Sequence, residues 1–233
     1  MKTKILYMFL LLNSVLFVGH KLACHTPQVV IIPEIMIEEE EKIEETMLPL
    51  EWEKNNPSRK RWSEYVFLQI ENNFEILNSA KDIKHFCPNY KNLNKNQKIN
   101  VWGQLIASMS FYESTFNPSA RIASVSNSID PVTSAPLISE GLLQVGYIDS
   151  LYHNCSFDWS KDSKLSDDDK RKTILNPYNN LSCGIKILTK QIRRYESIAI
   201  DKGAYWAVIK TNHPNSKLQQ IIKMVGKYEI CKA

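Results

Sequence analysis

The chain has 233 residues, 43% of them hydrophobic and 23% charged, with a formal net charge of +4. Once an N-terminal leader is set aside, that length suits one good-sized core. The lysines are scattered and no recognition motif accompanies them, which argues against a nucleic-acid partner.

Met1 to Val18 joins Lys2 and Lys4 to an apolar run that starts at Ile5. Residues 1–23 therefore read as a secretory signal, because the run is N-terminal and short for a spanning helix. Lys21-Leu22-Ala23-Cys24 approximates a bacterial lipobox, with Lys21 where Leu is expected. Two outcomes stay open: a lipid anchor on Cys24, or ordinary cleavage nearby that leaves a soluble exported protein. Residues 24–56 read as an acidic linker or pro-region of little fixed structure. They carry Glu34, Glu38 to Glu41, Glu44, Glu45, Glu51 and Glu53 against Lys42 and Lys54. The segment could act as a tether. It could also dock on the domain behind it through Val29-Val30-Ile31-Ile32 and Ile35-Met36-Ile37.

Residues 57–233 form the expected single domain, with 24 Lys or Arg against 16 Asp or Glu. A basic exported domain suits an anionic surface such as a cell wall. Arg61 to Leu77 reads as a helix with Trp62, Tyr65, Val66, Leu68 and Ile76 available for burial. Residues 98–113 read as a second, with one apolar face of Ile99, Trp102, Leu105, Ile106, Met109 and Tyr112. Pro118 limits its continuation. Ser, Asn and Pro make residues 119–139 a loop, either a lid or substrate wall or a plain surface insertion. A short β-hairpin is compatible with the 121–137 insert. Ser166 before Asp167, Asp168 and Asp169 reads as a helix N-cap. Leu181 to Ile198 reads as a long helix, and Pro214 as the start of a last one ending at Gly226. The fold class is mainly α.

Five cysteines are present. Without Cys24, an even set remains, which in an exported protein implies two disulfides. Sequence alone allows three pairings. The pairing expected is Cys155–Cys183, tying a segment after Gln144 to the next helix, with Cys87–Cys231 tying the domain's start to its end. No Cys-x-x-Cys or His-Glu-x-x-His spacing points to a metal, and no cofactor is expected.

Three blocks carry the chemistry. The first is Glu113-Ser114-Thr115-Phe116-Asn117-Pro118, closing the apolar helix. The second is Glu140-Gly141-Leu142-Leu143-Gln144-Val145. The third is Asn180-Leu181-Ser182-Cys183-Gly184. In this order they resemble the lysozyme-like lytic transglycosylases and goose-type lysozymes of glycoside hydrolase family 23, over roughly residues 98–210. Leu143 stands where Met is usual, the 119–139 link is long, and Tyr205-Trp206 replaces a usual Tyr-Asn pair.

The resemblance implies a lysozyme-like domain with a substrate groove, acting on peptidoglycan glycan strands between N-acetylmuramic acid and N-acetylglucosamine. Glu113 would be the single general acid and base, desolvated by Phe111, Tyr112 and Phe116 so that it holds a proton near neutral pH. Most glycosidases flank the bond with two carboxylates. Here the nucleophile would be the sugar's own 6-hydroxyl, giving an anhydro product, or water. Ser114, Gly141, Gln144 and Tyr205 are the expected substrate-side residues. Glu140 joins them on either of two hypotheses: it aids a water, or it pairs with a cationic sugar amine. An exposed loop glutamate without a role is the plainer reading. Trp206 reads as a core aromatic. The rival from another class is a non-catalytic wall-binding envelope protein. A monomer is expected, in the periplasm, anchored to the outer membrane or secreted.

Overall fold

The computed structural model describes residues 47–123 and 128–232. The expected signal segment, Cys24 and the two apolar clusters before residue 38 lie outside the described residues.

The packed body starts earlier than the expected boundary at residue 57. Leu50 and Trp52 are buried in the core. The side chains of Asn100 and Gln104 grip the strand of chain before them. Leu48 N–H donates to Asn100 Oδ1 and Glu51 N–H to Gln104 Oε1, while Asn100 Nδ2 donates back to Leu48 O. Trp52 Nε1 donates to Ser63 Oγ at 2.8 Å. The acidic composition of 24–56 thus hid a segment whose two large apolar residues, at its C-terminal end, belong to the domain.

Among the described residues four helices of nine residues or more make the frame. Helix α1 (Lys60–Glu71) buries Val66 and Ile70 but leaves Leu68 in solvent. It stops at Asn72 and Asn73, and a separate turn follows at Phe74–Leu77, so the single helix expected over 61–77 is two pieces. Helix α2 (Lys95–Ser114) opens on a capping box in which Asn94 and Gln97 satisfy each other's backbone N–H. Every residue from Ile99 to Ser110 is buried. The one-faced pattern expected for it is therefore wrong: α1 packs on one side and the last helix on another, so even Asn100, Gln104, Ser108 and Ser110 are enclosed.

Helix α3 (Pro177–Tyr195) starts before Leu181 because Asn176 caps it and Pro177 fills its first position. Helix α4 (Leu218–Gly226) begins four residues after Pro214 and lies against α2. Ser166 caps no helix. Its hydroxyl donates to Asp168 Oδ1 in a turn, while Asp167 and Asp169 pair with Arg121 and Arg171. Among the described residues no helix is long and apolar enough to cross a membrane.

The 119–139 link and the residues after it form a folded two-tier hairpin. Strand β1 (Arg121–Ala123) pairs antiparallel with β4 (Ile138–Glu140), in the register Arg121↔Glu140. Beyond it β2 (Ile129–Asp130) pairs with β3 (Ala135–Pro136). The two disulfides are Cys87–Cys231 and Cys155–Cys183, the expected pairing. The architecture is mainly helical with this small sheet.

Candidate active site

Glu113 sits in the last turn of α2. Two consecutive left-handed residues, Thr115 (φ 52°) and Phe116 (φ 62°), turn the chain out of the helix ahead of Pro118. Thr115 N–H still reaches Phe111 O at 2.9 Å. Such conformations cost energy in non-glycine residues and persist only where packing holds them. Phe116 is held by Phe111, Trp52 and the Arg59 guanidinium, which also donates to Phe116 O.

The Glu113 side chain lines a pocket of about 370 Å³. Its walls are Ile122, Leu137, Ile138 and Ser139 of the hairpin, Gln144, Gly146 and Ile148 of the next turn, and Tyr205, Trp206 and Ala207. Burial pushes the carboxyl up to about 7, and desolvation is the whole cause. The apolar wall differs from the one expected. Phe111, Tyr112 and Phe116 do not line this pocket. Ile122, Leu137 and Ile138 come from the 119–139 insert, which lines the pocket of the acid in keeping with the wall reading of that loop, whereas Ile148 follows the Gln144 turn.

The second block is a tight turn closed by a two-way backbone pair, Glu140 N–H to Val145 O at 2.8 Å and Val145 N–H to Glu140 O at 3.1 Å. Gly141 has φ 79°, and a side chain there would meet Asn180 Nδ2 at 2.1 Å. Only glycine fits both demands. Asn180, fully buried, donates to Glu140 O and Ile174 O and accepts Leu143 N–H. One turn along α3, a side chain on Gly184 would strike Leu143 at 2.2 Å. The second and third blocks are thus two halves of one packing unit. Ser114 Oγ lies within hydrogen-bonding distance of Ser110 O and Leu142 O, tying the end of α2 to the same turn. Trp206 Nε1 donates to Leu143 O at 2.7 Å from inside the core.

Gln144 is held at φ 48° with its Nε2 donating to Gly141 O and Ala120 O. Its buried Oε1 has no hydrogen-bond partner among the described residues. Gln144 thus lines the pocket while holding an enclosed acceptor that its own chain leaves unsatisfied. Tyr205 turns its hydroxyl inward and donates to Asp149 Oδ2 at 2.6 Å. Burial first, then the Asp149 carboxylate, and to a lesser extent Glu113, raise the phenol well above its ordinary value.

Of the six residues expected at the site, Glu113, Gln144 and Tyr205 share one pocket. The other three are parts of its frame. Ser114 and Gly141 serve the turn just described. Glu140 is 1% exposed, and its carboxylate accepts from Lys172 Nζ at 3.3 Å with Arg121 Nε also at 3.3 Å. Its carboxylate borders a different, much smaller cavity of about 50 Å³, shared with Tyr147 and Trp159. Desolvation raises the carboxyl and the Lys172 charge opposes that. Neither hypothesis that gave Glu140 a substrate-side role fits a carboxylate enclosed by two cations of its own chain. Its position beside Gly141 in sequence suggested the pocket, but strand alternation turns it to the other face of the hairpin.

Asp149 was not singled out by the sequence. It is buried, caps Gly146 N–H with the oxygen that accepts from Tyr205, and lies 3.8 Å from His153 Nε2. The visible trace is only an aspartate shortly after Gln144 at the start of the helical turn Asp149–Tyr152.

No family model matches the chain. No curated relative matches it either. Solved structures of a protein called DslA do match. Its wild-type form is 27% identical, with a TM-score of 0.64, covering 80% of this chain and 98% of DslA. Two Glu→Gln variants of DslA match at 26% and 27% identity, with TM-scores of 0.64 and 0.65. This chain therefore shares an architecture with DslA over nearly the whole of the latter's length.

Proposed function

We propose that the protein is an exported peptidoglycan-cleaving enzyme of the lysozyme and lytic transglycosylase type, with Glu113 as its single general acid and base. The observation that carries the proposal is a carboxyl whose proton is held to about pH 7 by desolvation alone, in a pocket that also contains Gln144 and Tyr205. A group of that acidity is half protonated near neutrality and can transfer its proton to a glycosidic oxygen as the bond breaks. Among the described residues of the pocket walls Glu113 is the only acidic one. That supports a mechanism in which the nucleophile is the sugar's 6-hydroxyl or a water, rather than a second carboxylate. Gln144 Oε1 would accept from a hydroxyl or amide N–H of the sugar and fix the ring beside the acid.

The basic body fits an anionic wall, and the two disulfides fit an oxidising compartment outside the cytoplasm. A lipid anchor on Cys24 would hold the enzyme at a membrane with the acidic stretch as spacer.

Mass spectrometry of the fragments released from purified sacculi tests this. Muropeptides ending in muramic acid are expected, in the anhydro form, one water lighter, if the 6-hydroxyl attacks and in the reducing form if water does. Saturable binding to sacculi with no fragment released would overturn the enzyme and leave a glycan-binding envelope protein.

A further inference from the structure

We infer that Asp149 is a positioning residue for this reaction: it takes the Tyr205 hydroxyl proton as its hydrogen-bond partner, so that the phenol oxygen meets the pocket as an acceptor. The inference rests on the reading of Glu113 given above and adds to it a residue that never touches the sugar.

The geometry is specific. Tyr205 has one hydroxyl hydrogen, and the 2.6 Å contact to Asp149 Oδ2 uses it. What remains on that oxygen is lone-pair density. Tyr205 lines the same pocket as Glu113, close enough for the Glu113 charge to act on its hydroxyl. A tyrosine left free could donate to the Glu113 carboxylate and lower its proton affinity, against the need of a general acid. Held by Asp149, it accepts instead, from a sugar hydroxyl or amide N–H entering the pocket. Gln144, on the same wall, holds a second acceptor that the described residues leave unsatisfied.

Asp149 is well fixed for this task. It is 2% exposed, and the same Oδ2 accepts Gly146 N–H at 2.8 Å, which locks the carboxylate to the turn that carries Gln144. His153 stands against the other oxygen, Nε2 to Oδ1 at 3.8 Å, with its ring edge-on to Tyr205. Asp149 Oδ2 therefore links the turn that carries Gln144 to Tyr205, two distant parts of the chain, through two hydrogen bonds.

The test is a double-mutant cycle on sacculi digestion, with kcat and KM determined separately, using Tyr205→Phe, Asp149→Ala and the pair. Each single change is expected to lower kcat/KM about tenfold, the size of one lost hydrogen bond. The double variant should be no worse than either, because both remove the same oriented oxygen. Asp149→Asn retains an acceptor at that place and should recover most of the loss. Thermal unfolding of Tyr205→Phe, which leaves the Gly146 cap intact, separates orientation from folding. Multiplying effects in the double variant, wild-type kcat/KM in Asp149→Ala, or an Asn variant as poor as Ala would each overturn the inference. Glu113→Gln run alongside keeps the two ideas apart. Digestion that survives it defeats the general-acid reading itself, whereas digestion abolished there but untouched by Asp149→Ala defeats only the role of Asp149.

Discussion

A carboxyl held protonated to about pH 7 costs the folded state something when it ionises, and this fixes the sign of a stability effect at Glu113. Between the ordinary carboxylate range and pH 7 the native protein binds a proton that the unfolded chain has released. Unfolding free energy must therefore fall as pH rises through that window. Glu113→Gln, which cannot ionise, is expected to be more stable than wild type at pH 8 by about 1–3 kcal/mol. The two should unfold nearly alike at pH 4. Chemical denaturation at both pH values reads the difference, and equal stability at pH 8 would show a solvated side chain. The residue was visible in the sequence because an apolar helix ended on a lone acid. Of the apolar residues that line its pocket, Ile122, Leu137 and Ile138 belong to the 119–139 loop, for which a substrate wall was one of two readings, while Ile148, beyond the Gln144 turn, carried no local sign of that place.

Among elements, the hairpin is the wall of the pocket, and a buried ionic cluster sets its place. Lys172 and Glu140 are each 2% exposed at the side chain, and Arg121 of β1 bridges Glu140 of β4 to Asp167. Breaking a buried pair from one side leaves a charge without its partner, which costs more than the pair contributes. Glu140→Ala should lose about 3 kcal/mol in urea denaturation. Adding Lys172→Met should recover most of it, and an unchanged midpoint in Glu140→Ala would mean the cluster is solvated. The motif spacing of Gly141, Asn180 and Gly184 was legible because it records direct packing: two glycines leave room for Asn180 and Leu143. The helix expected after Ser166 was not there because its aspartates serve salt bridges and local turns, a use that a first-turn pattern does not distinguish from capping.

At the level of the whole molecule, the two disulfides close loops of very different size. Cys87–Cys231 spans 144 residues and joins the end of the short turn Ile83–Phe86 to the last turn, Glu229–Cys231, while Cys155–Cys183 spans 28. By loop-closure entropy the first contributes about 5 kcal/mol and the second about 3.5. Replacing Cys87 and Cys231 together by Ala should lower Tm more than replacing Cys155 and Cys183, by scanning calorimetry. The reverse order would place the weight of stability in the segment beside α3. The even cysteine count made the disulfides readable, and the domain's beginning was misread for the opposite reason. Leu50 and Trp52 sit in an acidic stretch, and their burial depends on Asn100 and Gln104, some fifty residues away.

Whether Glu113 delivers its proton to the glycosidic oxygen is read by the rate of muropeptide release from sacculi, by wild type and Glu113→Gln, from pH 5 to pH 9. The wild-type rate should decline above about pH 7, approaching tenfold per unit, as the acid ionises. The variant should be lower by about a thousandfold or more and flat across the range. A Glu113→Gln protein within tenfold of wild type, or a wild-type rate undiminished at pH 9, would contradict it.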